Sequence, residues 1–326
     1  MEYLKAPSNV VPHLSISRLG LGTMRMTDKK EGIAAIHAAL DAGINFLNTG
    51  DFYDAGANEM MVGEALKGRK RDEAFVSVKF GALQRLDHGM YGIDVRPESV
   101  ENYLVYSLKR LGLEYIDLYQ PGRINPHIPV EETIGAISGL VQKGYVKTIG
   151  ITEVSADVLR RAHATHPITL VEVTYSLMNR IIENDVIPTA RELGISIAGF
   201  GVLLAGLIGG RSQEQALAMI SRMVSPETLA NFNHNIVQAN ALQQIADEKE
   251  ITLAQLAIAW VLAQGEDIMA LVGSRTVEQV EGTLNAMEIR LSREDLNRIE
   301  KIIPKADALS KYMPEINLDK NGLFKR

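Results

Sequence analysis

Cysteine is absent from this chain of 326 residues. Without it there can be no disulfide, no catalytic thiolate and no cysteine-ligated zinc, and the composition fits a reducing compartment. The seven histidines do not occur at a ligand spacing such as H-E-x-x-H, so we predict no metal site. The 34 lysines and arginines are dispersed and outnumbered by 40 acidic residues, which argues against a nucleic-acid partner.

Long apolar segments are also lacking. The longest, residues 195–210, is interrupted by Ser196 and several glycines, and it is shorter than the roughly 20 apolar residues that a membrane helix needs. The first seven residues contain neither an apolar core segment nor a cleavage-site pattern, so we expect no signal peptide. These features predict a soluble, cytoplasmic protein without a membrane partner. Its 46% hydrophobic residues can form a sizeable core.

The chain does contain a repeated alternation of short apolar runs with segments of helical periodicity. Eight runs predict strands, at residues 15–24, 44–47, 74–78, 115–119, 146–151, 168–173, 195–200 and 268–272. Helices are predicted at 31–42, 58–67, 98–111, 130–143, 155–164, 183–193, 236–248, 252–263, 276–286 and 292–302. Eight strand–helix units in this length predict an α/β fold with one domain, residues 1–326, built as a single (β/α)8 TIM barrel.

A doubly wound sheet is the main competitor. It usually has fewer strands, with a Gly-x-Gly-x-x-Gly turn after the first one. Residues 20–25 lack the third glycine of that turn, so the pattern favours the barrel. Two stretches exceed what a barrel needs: the long connection at 205–235 after the seventh strand, and the C-terminal tail at 304–326. Either can fold over the barrel mouth and shape the pocket.

Polar residues follow the predicted strands at their carboxyl ends, where the active sites of such barrels lie. They are Asn48, Asp51, Tyr53, Lys79, Arg123, Thr152, Glu153, Glu172 and Tyr175. Lys79 is the most informative of them. A lysine that closes a buried apolar strand is costly unless it is functional or held in a structural salt bridge. Tyr53 is our candidate for a catalytic acid; the alternative is that it only packs at a strand end.

A tyrosine and a lysine at one barrel mouth make a chemically sensible pair. The tyrosine pKa of about 10 is too high for easy proton transfer at neutral pH. A neighbouring ammonium group favours the phenolate and typically lowers that pKa by about 1–3 units. The pair is therefore suited to protonate a carbonyl oxygen while a hydride arrives at the carbonyl carbon.

Six segments together resemble the aldo-keto reductases over almost the whole chain. They are Leu19–Met24, Asp51–Tyr53 with Asn58 and Glu59, Val78–Gly81, Leu111–Tyr119, Gly144–Gly150 and Tyr175–Leu177. The resemblance implies an NADPH-dependent carbonyl reductase with a Tyr-Lys-Asp-His tetrad. Two members carry over, as Tyr53 and Lys79. The family's aspartate falls on Asn48, and its histidine falls on Gly122, next to Arg123.

These departures carry expectations of their own. Without the aspartate, we expect Lys79 to be less neutralised and the Tyr53 pKa to be lowered further, with Asn48 keeping only a hydrogen bond. Without the histidine, we expect open volume beside Tyr53. Asp51, Gly122 and Arg123 are predicted to line the substrate pocket. The pattern around them is most similar to the pyridoxal-reductase branch of the family, which implies an aromatic aldehyde carrying hydroxyls as the small-molecule substrate.

The resemblance also implies a set of cofactor contacts. Phe200 falls where an aromatic ring stacks on the nicotinamide, although it can equally be a core strand residue. Thr152 and Glu172 fall where the carboxamide is held, and residues 201–207 match the turn around the pyrophosphate. Arg275 suits the adenosine 2′-phosphate because its guanidinium can bind two oxygens, which favours NADPH over NADH. The full predicted set is Gly22, Thr23, Thr152, Glu172, Phe200, Gly201, Leu203, Gly206, Gly273, Ser274, Arg275 and Gln279.

Two other functions stay open at this point. A cofactor-binding sensor or regulatory protein with weak catalysis can lack half of the tetrad. Retention of both Tyr53 and Lys79 argues for catalysis instead. A barrel lyase or aldolase would use Lys79 as a Schiff base, which requires a neutral amine.

Overall fold

Eight parallel strands close into a barrel, which confirms the predicted (β/α)8 fold. The computed structural model describes residues 1–5, 15–86, 89–209, 214, 215, 218, 226–308 and 318–324. The barrel strands are β1 (Leu19–Gly22), β2 (Phe46–Gly50), β3 (Phe75–Phe80), β6 (Ile116–Pro121), β7 (Val146–Thr152), β8 (Ile168–Thr174), β9 (Ser196–Phe200) and β10 (Ile268–Gly273). Each strand pairs with the next barrel strand along the chain, and β1 pairs with β10 to close the ring.

Helices alternate with the strands close to the predicted positions. They are α1 (Lys29–Asp41), α2 (Ala57–Leu66), α3 (Pro97–Leu111), α4 (Val130–Gln142), α5 (Ala156–Thr165), α6 (Val186–Leu193), α7 (Pro226–Glu248), α8 (Leu253–Ala263), α9 (Val277–Asn285) and α10 (Arg293–Ile302). Local signals explain several ends. Thr252 and Ser292 form capping boxes that begin α8 and α10. Gly112 and Gly194 end α3 and α6 with φ of 66° and 71°, a conformation that glycine adopts without steric cost.

The two faces of each strand meet different surroundings. Side chains alternate along a strand, so that one face points into the barrel and the other towards the helices. The interior layer is apolar and consists mainly of Phe46, Phe75, Leu118, Leu170, Ala198, Met269 and Leu271. Two to four positions further along β2, β3, β6 and β8, the same face carries Asn48, Ser77, Lys79, Gln120 and Glu172. A polar layer therefore lies directly above the apolar floor, at the carboxyl end of the barrel.

Two features near the mouth refine the predictions. An antiparallel hairpin, β4 (Ala82–Gln84) with β5 (Met90–Ile93), follows β3 and is not among the predicted strands. The described end of the C-terminal tail packs on this hairpin. The Ile93 N–H donates to Gly322 O at 2.7 Å, and the Phe324 N–H donates to Tyr91 O at 2.9 Å. For residues 318–324 the tail does lie beside the mouth, whereas 309–317 are outside the described residues.

The long connection after the seventh strand contains helical structure of its own. Helix α7 begins at Pro226, ten residues before the predicted start at 236. Most of the stretch from 210 to 225 lies outside the described residues. In the part of the chain that is described, no helix has the length and apolar character required to cross a membrane.

Candidate active site

A buried ion pair occupies the polar layer of the barrel. Lys79 is only 4% exposed and Glu172 only 3%. The Lys79 ammonium donates from Nζ to Oε1 of Glu172 at 3.0 Å and to Oδ1 of Asn48. The other oxygen of Glu172, Oε2, accepts from Nδ2 of Asn48 at 2.7 Å and from Nε2 of Gln120 at 2.6 Å. The cation and the anion are thus in direct contact; Asn48 bonds to both of them, and Gln120 bonds to the anion alone.

The expectation that Lys79 is less neutralised without the aspartate is wrong, because Glu172 supplies a counter-charge. Burial by itself lowers the pKa of Lys79, but the Glu172 carboxylate and the neighbouring Tyr53 raise it more, to above the ordinary 10.5. The amine is therefore an ammonium at neutral pH. A Schiff-base role, which requires the neutral amine, loses its support.

Tyr53 lies beside this ion pair at the start of a short 3-10 turn, Tyr53–Gly56. The residue is 8% exposed, and Lys79 Nζ lies 5.2 Å from the centroid of its ring. Burial raises the pKa of Tyr53, the Lys79 charge lowers it, and the Glu172 charge raises it again, so that it stays above 10. The prediction of a lowered pKa is wrong, because desolvation of the phenolate outweighs the ammonium. Tyr53 is consequently protonated at neutral pH, which is the form that a general acid needs.

Phe52 covers the position that the family pattern gives to a histidine. A Cβ atom added to Gly122 would lie 3.2 Å from a carbon of the Phe52 ring and 3.3 Å from Phe80 O. A Cβ at Gly50 would also lie 3.2 Å from the same ring. The ring therefore packs across both glycines, and it meets Tyr53 edge-on at a centroid distance of 4.9 Å. The expected open volume beside Tyr53 is filled at Gly122 by this side chain.

Gly122→His should therefore be poorly tolerated. A histidine side chain has to displace the Phe52 ring, and such overpacking typically costs about 1–3 kcal/mol of unfolding free energy. The double variant Phe52→Ala/Gly122→His removes the obstruction and should be at least as stable as Phe52→Ala alone. Urea unfolding of the three variants and the wild type measures this difference. A Gly122→His protein as stable as wild type would show that Phe52 does not fill this space.

The Asp51 carboxyl has contacts other than those of the Lys79–Glu172 ion pair. Its Oδ2 accepts from the Gly81 N–H at 3.3 Å, and its charged neighbours are Glu59 and Arg110 of the helix layer. Glu59 is fully buried and accepts from Nε of Arg110 at 2.5 Å. The Asp51 carboxyl is thus placed against α2 and α3 instead of in the predicted substrate pocket. Burial first, and then the Glu59 charge, raises the pKa of Asp51 to about 7.

Asp51→Asn should stabilise the protein progressively as pH rises. An aspartate that titrates near 7 when folded and near 3.8 when unfolded holds more protons in the folded state between those values. The wild type therefore loses stability as pH rises through that window. Because Asp51 is partly exposed, we expect a gain for Asp51→Asn of about 1–3 kcal/mol between pH 5 and 8.

Urea unfolding at several pH values measures that gain. The matched control is Asp54→Asn, three residues along the same turn, where the side chain is exposed. It reports what an aspartate-to-asparagine exchange does at an exposed position of the same turn. A constant difference between Asp51→Asn and wild type from pH 5 to 8 would contradict the assignment.

The predicted nicotinamide contacts lie at the ends of adjacent strands. Thr152 ends β7 and pairs in register with Glu172. Its Oγ1 is buried and has no hydrogen-bond partner among the described residues, so it can serve a ligand that reaches this depth. Phe200 ends β9 and is partly exposed, as a stacking ring must be. The oxygens of Glu172, in contrast, already accept from three donors within the protein.

The predicted phosphate contacts lie on two loops. Residues 201–209 form tight turns, in which Leu204 N–H donates to Gly201 O at 3.0 Å and Gly206 N–H donates to Leu203 O at 2.8 Å. Gly201 and Gly206 have φ of 72° and 97°. These turns give a compact backbone surface at the mouth, of the kind that approaches a phosphate closely.

Arg275 lies on the second loop, between β10 and α9, and its side chain is exposed. Its backbone N–H donates to Oε1 of Gln279 at 2.8 Å, and Thr276 caps the helix that follows. A guanidinium group beside a helix N-terminus suits a phosphate group. Gly273, which precedes this loop, is exposed, whereas Ser274 is buried against Thr283, with 3.2 Å between their hydroxyls.

Gly22 and Thr23 are brought to the same end of the barrel, but the Thr23 side chain is engaged elsewhere. Its Oγ1 lies 2.9 Å from Asn48 O and 2.6 Å from Oδ1 of Asn58, and it is fully buried. Thr23 therefore ties β1 and β2 to α2, and any contact with a ligand there falls to the backbone. Within the described ranges, no three His, Cys, Asp or Glu side chains are grouped so as to hold a metal ion.

Three residues at the site are not among those predicted. Two of them are Gln120 and Ser77, which lie beside the ion pair. Gln120 Nε2 donates to Ser77 Oγ at 3.2 Å. Each lies two positions along its strand from a residue that points into the barrel. Because side chains alternate along a strand, this spacing is a signal that could have identified them. Phe52 gives no such signal, because its contact with Gly122 depends on which strands lie side by side.

Comparison with known proteins agrees with this geometry. The family model described as Aldo/keto reductase family matches residues 18–304. A probable aldo-keto reductase from Glycine max is 38% identical over 301 residues, which cover 90% of this chain and 87% of that protein.

Solved structures give the same result. A glycerol dehydrogenase from Gluconobacter oxydans is similar with a TM-score of 0.79 and 26% identity, covering 96% of this chain and 97% of that one. An aldo-keto reductase from Bacillus halodurans in its holo form has a TM-score of 0.76 and 26% identity, covering 94% and 96%. The chain therefore belongs to the aldo/keto reductase family, whose members are oxidoreductases that reduce carbonyl groups with nicotinamide cofactors.

Proposed function

We propose that this protein is an NADPH-dependent carbonyl reductase in which Tyr53 is the general acid. The observation that carries the proposal is the buried Lys79 ammonium beside the buried, protonated Tyr53 at the barrel mouth. A phenol of raised pKa holds its proton until negative charge develops next to it. The adjacent ammonium then stabilises the phenolate that proton transfer leaves behind.

The residues at the mouth fit a nicotinamide cofactor. Thr152, with its unpartnered buried hydroxyl, would hold the carboxamide, and Phe200 would pack on the ring. Gly201, Leu203 and Gly206 would face the pyrophosphate. The adenosine 2′-phosphate site would be formed by Gly273, Arg275 and Gln279. The buried Ser274 would pack beneath this loop, against Thr283. When bound, the cofactor supplies the hydride that reaches the carbonyl carbon, and Tyr53 delivers the proton to the carbonyl oxygen.

We further propose an aromatic aldehyde of the pyridoxal type as substrate. Phe52 takes the place of a polar imidazole beside Tyr53, so the wall next to the acid is an aromatic ring that suits a flat partner. Arg123 lies close enough to lower the Tyr53 pKa through its charge. That cation suits an acidic hydroxyl on the substrate ring.

NADPH consumption with a panel of carbonyl compounds tests the proposal. The panel consists of pyridoxal, benzaldehyde and glyceraldehyde, and we expect pyridoxal to give the highest kcat/KM. Preference for glyceraldehyde would overturn the aromatic assignment while leaving reduction intact. Tight NADPH binding without reduction of any member would favour a cofactor-binding sensor instead.

Arg275→Ala should weaken NADPH binding about tenfold to a hundredfold, because it removes charge-assisted hydrogen bonds to the 2′-phosphate. NADH lacks that phosphate, so its affinity should change little. Titration of the intrinsic fluorescence with each cofactor measures both constants. Arg275→Lys should lose less than Arg275→Ala, since it keeps the charge but not the two-oxygen fork. Arg293→Ala, an exposed arginine at the start of α10, serves as the surface control. Equal losses for NADPH and NADH would contradict the assignment.

A further inference from the structure

The charge that neutralises Lys79 comes from an unexpected strand. In the family pattern the neutralising carboxylate falls at position 48 on β2, the strand next to Lys79. In this chain position 48 is a neutral amide, and the carboxylate is Glu172 on β8. In the barrel order β8 lies three strands beyond β3, so the ion pair spans the interior instead of joining neighbours.

We infer that Glu172 is the positioning residue for Lys79, and that it has replaced position 48 as the counter-charge of the catalytic pair. This inference rests on the proposed function, because it assigns a role within the same reaction. An ammonium group has three N–H donors. Two are accepted by Glu172 Oε1 and Asn48 Oδ1. The third N–H is left for the side of Tyr53, whose ring centroid lies 5.2 Å from Lys79 Nζ.

The same geometry explains why this chain combines an amide at position 48 with a carboxylate at position 172. Nδ2 of Asn48 donates to Glu172 at 2.7 Å, a contact that an aspartate could not make. An aspartate at position 48 would instead place two carboxylates within hydrogen-bond distance, where they cannot both be ionised without a large cost. Asn48 is thus the residue that a glutamate at position 172 requires. The two substitutions should be strongly coupled.

Glu172 has little capacity left for a contact with the cofactor. A carboxylate offers about four acceptor sites, and Glu172 uses three of them on Lys79, Asn48 and Gln120. The carboxamide contact therefore falls mainly to Thr152. Glu172 acts on the reaction through Lys79, without touching the reacting atoms.

Three variants test the role: Glu172→Gln, Asn48→Asp and the double variant Asn48→Asp/Glu172→Gln. We expect Glu172→Gln to lower kcat about tenfold to a hundredfold with little change in KM, because the ammonium loses its anchor. Asn48→Asp alone should also lose activity, through repulsion between carboxylates. The double variant moves the negative charge back to β2 and should recover most of the lost kcat. Additive losses in the double variant would overturn the inference.

A second readout does not depend on turnover. Glu172 raises the pKa of Tyr53, whereas Lys79 and Arg123 lower it. Glu172→Gln should therefore shift the alkaline titration of Tyr53 to lower pH, and the double variant should shift it back. The phenolate absorbance of each protein, minus that of the same variant carrying Tyr53→Phe, isolates this titration from the other tyrosines. A group that only supports the fold would not move it in this direction.

The possible results separate this inference from the proposed function. If wild type reduces no carbonyl compound, the proposed function fails, but the shift of the Tyr53 titration still decides the role of Glu172. If wild type is active while Glu172→Gln changes neither kcat nor the titration, the inference fails and the function stands. Should Glu172→Gln not fold, recovery of folded protein in the double variant supports the inference, and its failure to fold overturns it.

Discussion

Tyr53→Phe should lower kcat by about a hundredfold to ten-thousandfold, the contribution that a positioned general acid usually makes. The substitution removes one oxygen and keeps the ring that packs edge-on against Phe52. The Lys79–Glu172 ion pair keeps both of its partners. The fold and the cofactor contacts should therefore survive, and the loss should be confined to the proton-transfer step.

Steady-state kinetics with NADPH and the best carbonyl substrate measures this loss, and fluorescence titration checks that NADPH still binds with wild-type affinity. Tyr106→Phe is the matched control, because Tyr106 lies on α3 and is 55% exposed. It should have wild-type kinetics. Equal turnover by wild type and Tyr53→Phe would show that another group donates the proton. The partly exposed Arg123 is not a suitable donor, because arginine does not deprotonate in proteins.

The raised pKa of Tyr53 bears on the expected pH dependence as well. A general acid works in its protonated form, so activity that depends on Tyr53 should persist through neutral pH and fall only on the alkaline side. A lowered pKa, as the sequence predicts, would move that fall towards neutrality. The difference arises from burial, which a sequence does not report quantitatively. Lys79 was predictable as a neighbour of Tyr53, but the Glu172 charge and the balance between desolvation and charge were not.

The barrel itself follows from the sequence because its signals are local. Each strand is a short apolar run and each helix an amphipathic segment with start and stop residues close by, so neither requires knowledge of distant contacts. Tyr53 and Lys79 are predictable for a related reason. Both lie at strand ends, and every strand end of a parallel barrel meets at one face.

The contacts that span the barrel could not be predicted in the same way. Glu172 is 93 residues from Lys79 in sequence, and their pairing depends on the width of the closed ring. Phe52 covers Gly122 because β2 and β6 both flank β3, which no local pattern states. The sequence predicts Asp51 to line the substrate pocket, yet the charged groups that act on its carboxyl are Glu59 and Arg110 of the helix layer. Local patterns place the backbone, whereas the direction of a side chain at a turn depends on what packs around it.

Lys79→Met should have the largest effect on stability. It removes the cation and leaves the Glu172 carboxylate buried without its counter-charge. Breaking a buried ion pair from one side typically costs about 3–5 kcal/mol of unfolding free energy. The Asn48 and Gln120 amides still donate to Glu172, but they cannot replace the charge. Methionine has a similar length to the lysine stem, so little of the cost should come from lost packing.

The double variant Lys79→Met/Glu172→Gln separates stability from function. It removes both charges and should regain most of the unfolding free energy, since a neutral pair of similar volume replaces a desolvated ion pair. Its kcat should stay as low as that of Lys79→Met, because the ammonium beside Tyr53 is still missing. Urea unfolding and steady-state kinetics on the same preparations measure the two quantities. Lys147→Met, an exposed strand lysine on β7, controls for the loss of a lysine as such. If the double variant were no more stable than Lys79→Met, the lost unfolding free energy would come from packing around position 79. The charge of Glu172 would then not be the reason that the fold needs Lys79.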